Sequence, residues 1–203
     1  MPGLDANRRL LVLGAGRQQL GLLAAAERRG LLVIAVDRDP AAPGFRFAGR
    51  RALISFEDEP AIHRLAEAER IDGVISPAND WSVGIAARVA HRLGLPHPLD
   101  PQTAALAGSW LRQRERFSET GVPHDSWLGD GPEVTVQAFS FAGAFHALSG
   151  PPGLAGLAAR LGSPAEVELV REATGIDLNA FALKSALGER IDRSELVAGR
   201  LAA

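Results

Sequence analysis

The chain has 203 residues, of which 46% are apolar and 23% charged, with a net charge of -2 and no cysteine. That length and balance fit one large globular domain or two small ones with a proper core, and the near-neutral charge gives no electrostatic reason to expect nucleic acid or an anionic membrane as partner. The lack of cysteine excludes disulfides, thiolate nucleophiles and thiolate metal sites.

Arg8-Arg9 followed by LLVLGAG superficially suggests an export signal. Gly14, Gly16 and Arg17 cut that apolar run too short for a signal or a membrane span, so a cytoplasmic protein is expected. RRLLVLGAG reads as a short strand buried on both faces and stopped by glycines. RQQLGLLAAAERRG has apolar residues at helical spacing, with Gly30 as its C-terminal stop. LLVIAVDRDP is a second buried strand, RALISF a weaker third and EPAIHRLAEAER a helix. IDGVISPAND is a fourth strand with a polar end, and WSVGIAARVAHRLG another helix. Alternation at this spacing predicts parallel β-α-β units with helices on both faces of the sheet, an α/β domain over residues 1–98.

LPHPLDPQ is a proline-rich link, and helices are expected at Thr103–Gly108 and Trp110–Thr120, so that residues 99–124 form a helical linker. After Gly121 the pattern changes. EVTVQAFSFAGAFHALSG alternates apolar and polar residues around FAGA, as a β-hairpin with one buried face does. SPAEVELVREATG and IDLNAFALKSALG are amphipathic helices, the first with Ser163 and Glu166 at capping-box spacing. Residues 125–203 thus form a hairpin-plus-helix α+β unit.

In open α/β sheets ligands bind where strands end and helices begin. Gly14–Gln19, Asp37–Asp39 and Ser76–Asp80 should converge there. The glycine loop offers a tight turn and amide N–H groups at a helix N-terminus, suited to an anion, with side-chain donors from Arg17 and Gln18. Alternatively, Gly14 and Gly16 only let strand and helix pack closely. A dinucleotide reading has Asp37 in its favour, but the third glycine of G-x-G-x-x-G is replaced by Gln19. His63, His91, His97, His124 and His146 show no metal-ligand spacing, and Trp81, Trp110 and Trp127 read as packing residues. Of the 22 Lys and Arg residues only Lys184 is a lysine, which leaves no lysine near an N-terminal phosphate site.

LLVLGAGRQQLGLLAAAERRGLLVIAVDRDPAAPG, then DGVISPANDWSVGIAARVAHRLGLP and RFSETGVP, resemble the N-terminal domain of ATP-grasp enzymes of the carboxylate–amine ligase and carbamoyl phosphate synthetase type. The likeness spans roughly residues 9–123. It resumes more faintly at PEVTVQAFSFAGAFHAL and at ARLGSPAEVELVREATGIDLNAFALKSALGE. Family members use ATP and magnesium to form an acyl phosphate that an amine attacks, which requires cations at the phosphates and a lid that excludes water. Where the family has an Asp-Lys pair reaching the nucleotide, this chain has Ser109-Trp110. The lid subdomain should follow Gly121-Val122-Pro123, but only His124 to Pro132 fill the gap, at most about 30 Å of extended chain. The family's metal pair falls on Gly156 and Ala158, which offer magnesium no side-chain oxygen, while Arg160-Leu161-Gly162 is kept.

The resemblance therefore implies a degenerate ATP-grasp protein, an α/β sheet followed by a truncated ATP-grasp remnant, that needs no cofactor. Its expected ligand is a small polar or anionic molecule held by Gly14, Gly16, Arg17, Gln18, Asp37, Arg38, Asn79, Asp80 and Arg160. Glu133, Asp125 and His124, where the lid would join, are candidate acid–base groups for a cofactor-free reaction. Two alternatives stand beside it. One is a non-catalytic partner, homodimeric or bound to another enzyme through apolar surface that the lost lid uncovers. The other is a carboxylate–amine ligase completed in trans.

Overall fold

The structure, a computed structural model, describes residues 7–121, 138–141, 144–147 and 160–196. Its centre is a four-stranded parallel sheet of order β3-β2-β1-β4, formed by β1 (Arg9–Leu13), β2 (Leu32–Asp37), β3 (Arg50–Leu53) and β4 (Gly73–Ile75). Register runs from Arg9 opposite Leu32 to Leu13 opposite Val36, with Leu10 to Val12 opposite Gly73 to Ile75.

The helices that connect and cover the strands are α1 (Leu20–Arg28), α2 (Glu59–Glu69) and α3 (Asp80–Leu93), followed by α4 (Pro101–Ala107) and α5 (Trp110–Thr120). An antiparallel pair, β5 (Ala138–Phe141) with β6 (Ala144–Ala147), comes next, then α6 (Pro164–Thr174) and α7 (Leu178–Ala186). The expected hairpin is present as this ladder; the remainder of its expected span and the burial of its faces lie outside the described residues.

Successive residues of β1 supply opposite faces. Leu10 and Val12 pack with Val33, Ala35, Leu22, Leu23 and Ala26, while Leu11 and Leu13 pack with Ile34, Val36, Ile62, Ile85 and Val89. Because both faces are covered, by α1 and α7 on one side and α2 and α3 on the other, the strand reads as an unbroken apolar run. The α/β class with helices on both faces is what the sequence predicts.

The helix that the sequence places in the last unit, α7, packs on α1 and β4, and Leu183, Ala186 and Leu187 belong to the core of the N-terminal sheet. Beyond α7, Glu189 accepts from Arg8 at 2.9 Å and from Arg29 at 2.5 Å, while Arg8 also donates to the Leu187 carbonyl at 2.7 Å.

Three expectations are corrected. The strand expected at RALISF runs over Arg50–Leu53, one residue earlier and three shorter at its end; it lies at the sheet edge, where Arg50, Arg51 and Leu53 face solvent and apolar patterning is weak. The helix expected from Thr103 starts at Pro101, because Asp100 caps the amides of Gln102 and Thr103. Trp81 and Trp110 are not packing residues: they are 53% and 48% exposed. Trp127 lies outside the described residues.

Candidate functional site at the strand ends

Parallel register brings the C-terminal ends of β1, β2 and β4 to one edge of the sheet, where the loops at 14–19, 37–39 and 76–80 meet. The first loop is held from both sides. Gly14, with φ of +101°, donates to the Val36 carbonyl at 2.8 Å, a backbone conformation that glycine alone adopts readily. Ala15 N–H donates to Asp37 Oδ2 at 2.8 Å, and Asp39 N–H to Asp37 Oδ1 at 3.0 Å. Asp37 is thereby a brace between the first two loops, whatever else it holds.

Arg17–Gln19 form a short 3-10 turn leading into α1. Among the described α-helices, α1 starts without a side-chain cap; the other six are capped by Asp58, Asn79, Asp100, Ser109, Ser163 and Asp177. Arg17, Gln18 and Arg38 are exposed beside it. The Gln19 side chain lies across the two glycines: a Cβ on Gly14 would stand 2.9 Å from Gln19 Nε2, and one on Gly16 would stand 3.2 Å from Gln19 Oε1. A pyrophosphate has no close backbone approach past that side chain, which counts against the dinucleotide reading.

Asn79 is spent on structure. Its side-chain oxygen accepts from the amides of Trp81 and Ser82, and beneath it the buried hydroxyls of Ser76 and Ser82 lie 2.5 Å apart. Asp80 begins α3 and meets Arg160, with Oδ1 3.2 Å from Nε. The structure therefore brings the N-terminal candidates Gly14, Gly16, Arg17, Gln18, Asp37, Arg38, Asn79 and Asp80 to one end of the sheet and joins Arg160 to Asp80. His124, Asp125 and Glu133 lie outside the described residues.

Two adjoining hollows open between the glycine loop and the start of α6. One, of about 290 Å³, is lined by Gln18, Ala78, Arg160, Gly162, Ser163 and Glu166. The other, of about 210 Å³, runs from Gln18 and Gly162 past Gly21 and Leu161 to Asn179. Together they are at the small end of metabolite-site volumes. Their polar lining mixes signs, with Arg160 and Glu166 on the larger hollow and Glu168 on the smaller. Glu166 is tied to the Ser163 N–H at 2.5 Å in the expected capping box. Sequence reasoning missed Asn179, Glu166 and Ser163 as cleft residues. The only signal was that the retained Arg160-Leu161-Gly162 directly precedes Ser163.

Among the described residues no group of three or more His, Asp or Glu side chains is placed to hold a metal ion, and no helix is long and apolar enough to cross a membrane. Large apolar side chains are exposed on the first turns of both α3 (Trp81) and α5 (Trp110 and Leu111, the latter 64% exposed). A Cβ on Gly108, at the end of α4, would lie 3.3 Å from the Asp80 carbonyl oxygen at the start of α3.

No family model matches the chain. It is 30% identical over 167 residues to a formate-dependent phosphoribosylglycinamide formyltransferase from Burkholderia vietnamiensis, covering 82% of this chain and 37% of that protein. An L-amino acid ligase from Bacillus licheniformis superposes with a TM-score of 0.73 at 17% identity, over 94% of this chain and 76% of the ligase chain. A phosphoribosylglycinamide synthetase from Anaerococcus prevotii superposes with a TM-score of 0.70 at 14% identity, over 91% and 76%. At those identities the two structures speak for the fold alone. The chain matches between 17% and 37% of the length of the first curated relatives, so their whole activities do not pass to it directly.

Proposed function

Because the chain is an ATP-grasp-like protein, related in sequence to formate-dependent phosphoribosylglycinamide formyltransferase, we propose that it binds a small polar or anionic metabolite at the strand ends and carries no ATP–magnesium chemistry of its own. The observation that supports this most is the cleft itself: Gln18, in the turn that leads into α1, and Arg160 line one hollow between the sheet and α6. A side-chain amide and a guanidinium are donors that an anionic group can use.

The second half of the proposal rests on residue types. Ser109-Trp110 stand where the family places an Asp-Lys pair, and Gly156 and Ala158 stand at its metal-ligand positions. A triphosphate without an ammonium or a dication beside it lacks the charge balance that its transfer requires. Any acid–base step falls in this reading to His124, Asp125 or Glu133.

The relative's name supplies the first ligands to test. Calorimetric titrations with phosphoribosylglycinamide, with formate and with ATP–magnesium are expected to show metabolite binding and no magnesium-dependent ATP binding. Micromolar magnesium-dependent ATP binding, or ADP release with these substrates, overturns the loss of ATP chemistry.

The exposed Trp81, Trp110 and Leu111 favour a second reading, in which the chain docks on a second copy or on an enzyme that supplies the ATP lid in trans. Light scattering that gives a monomer, together with no ADP release when candidate partners are added, counts against it.

A further inference from the structure

The candidate site contains an anion of its own. Asp80 Oδ1 lies 3.2 Å from Arg160 Nε, yet that oxygen is buried and, among the described residues, accepts no hydrogen bond. The two groups are close charges that do not bond. Among the described residues, the other hydrogen bond recorded for Arg160 is a long 3.3 Å donation from Nη1 to the neighbouring Leu161 carbonyl. Both side chains are more than a third exposed, 39% for Asp80 and 34% for Arg160, so water screens their attraction and the pair is worth little.

Each member has somewhere else to go. Asp80 stands in the first turn of α3, where the helix dipole favours a carboxylate and Asn79 already caps the amides. Arg160 lines the larger hollow with Gln18 and Ser163. An entering carboxylate or phosphate can take two guanidinium N–H groups in plane, the charge-assisted bonds that Asp80 does not make. Glu166 lines the same hollow, where its carboxylate accepts from the Ser163 N–H, while Asp80 Oδ1 is the carboxylate oxygen recorded beside the guanidinium.

We propose that Asp80 is a built-in competitor for Arg160: it occupies the guanidinium while the cleft is empty and is displaced when the anionic group of the ligand enters. This rests on the strand-end cleft being the metabolite site and adds the regulation of that site. It reverses the sign expected if Asp80 simply holds the ligand, because removing its charge should then tighten anion binding.

The test titrates inorganic phosphate and acetate into the full chain, wild type and the variants Asp80→Asn, Asp80→Ser and Arg160→Gln. Binding is read from amide chemical-shift changes at Gln18 and Gly162. Asn keeps the shape of Asp80 and Ser suits a helix first turn, so that at least one neutral variant is available in folded form, as checked by circular dichroism. Both neutral variants are expected to bind about two- to fivefold tighter than wild type, and Arg160→Gln to lose the shifts. Wild-type binding that is unchanged or weakened in both Asp80 variants overturns the competitor while leaving the metabolite site standing. An absence of shifts with either anion in every protein overturns both.

Discussion

A Cβ placed on Gly73 in β4 would lie 2.4 Å from the carbonyl oxygen of Ala186 at the end of α7, and 3.1 Å from Leu187 Cδ2. Only a residue without a side chain lets the C-terminal helix reach the sheet at that point. The contact matters for function because α6, which leads into α7, forms one wall of the cleft. Gly73→Ala is therefore expected to destabilise the fold by about 1–3 kcal/mol, the usual cost of an overpacked core position. The control is Gly84→Ala in the middle of α3, where a Cβ would meet only the far end of Arg88 at 3.3 Å. Helix propensity favours that change by up to ~1 kcal/mol. Urea unfolding of both variants checks the pair, and equal effects sink the argument.

A second tie holds the same segment at that same N-terminal end of the strands, away from the cleft. Glu189 takes hydrogen bonds from both Arg8 and Arg29, each side chain roughly a quarter exposed. Glu189→Gln is expected to cost about 1 kcal/mol, since charge-assisted bonds weaken and two guanidinium groups lose their counter-charge. The loss should shrink in high salt, which a part-exposed charge effect must do and a packing effect need not. Denaturation midpoints at low and high ionic strength separate the two.

The sequence made some of this legible and hid the rest for identifiable reasons. β1 and β2 were readable because both faces are buried, so Leu10 to Leu13 and Val33 to Val36 are apolar without interruption. Edge strand β3 was blurred because Arg50, Arg51 and Leu53 meet solvent. Ser163 and Glu166 announced α6 through local chemistry alone, and the capping box is present. The docking of α7 on Gly73 was not readable, since it depends on a glycine and a carbonyl more than a hundred positions apart. Asp80 and Arg160 were both named from the sequence, but nothing in it pairs them. Trp81 and Trp110 were misread because an apolar side chain states a preference for burial and not its outcome.

His97 gives the fold a dependence on pH. Burial in the link before α4 disfavours its charged form and lowers its pKa, against a smaller raising effect of its backbone partner Leu99, whose carbonyl oxygen is 2.8 Å from Nδ1. A folded pKa below the ordinary value means that the unfolded chain takes up the proton first. The contribution to stability is thus complete above roughly pH 6.5 and is lost as pH falls from there toward the folded pKa. Urea midpoints measured from pH 7.5 down to 5.5 are expected to drop, and His97→Asn to flatten that part of the profile. A profile unchanged by the substitution assigns the slope to other groups.

Asp37 allows structure and ligand to be separated at the site. Its two oxygens accept the Ala15 and Asp39 amides, so Asp37→Ala leaves a part-buried N–H in the glycine loop without its acceptor. That should cost about 1–3 kcal/mol and loosen the turn that presents Arg17 and Gln18. Asp37→Asn keeps one acceptor oxygen in nearly the same place, and should restore most of the stability if the brace is all that Asp37 provides. Binding then decides the remaining role. If the ligand bears an anionic group near the glycine loop, Asn removes a repulsive charge and affinity holds or rises. If the carboxylate itself grips a hydroxyl or an amine of the ligand, the Asn variant keeps most of the wild-type stability and yet binds about tenfold more weakly, the loss of one charge-assisted bond. Paired calorimetry and urea melts on the two variants distinguish these outcomes, because a purely structural role makes stability and affinity fall together.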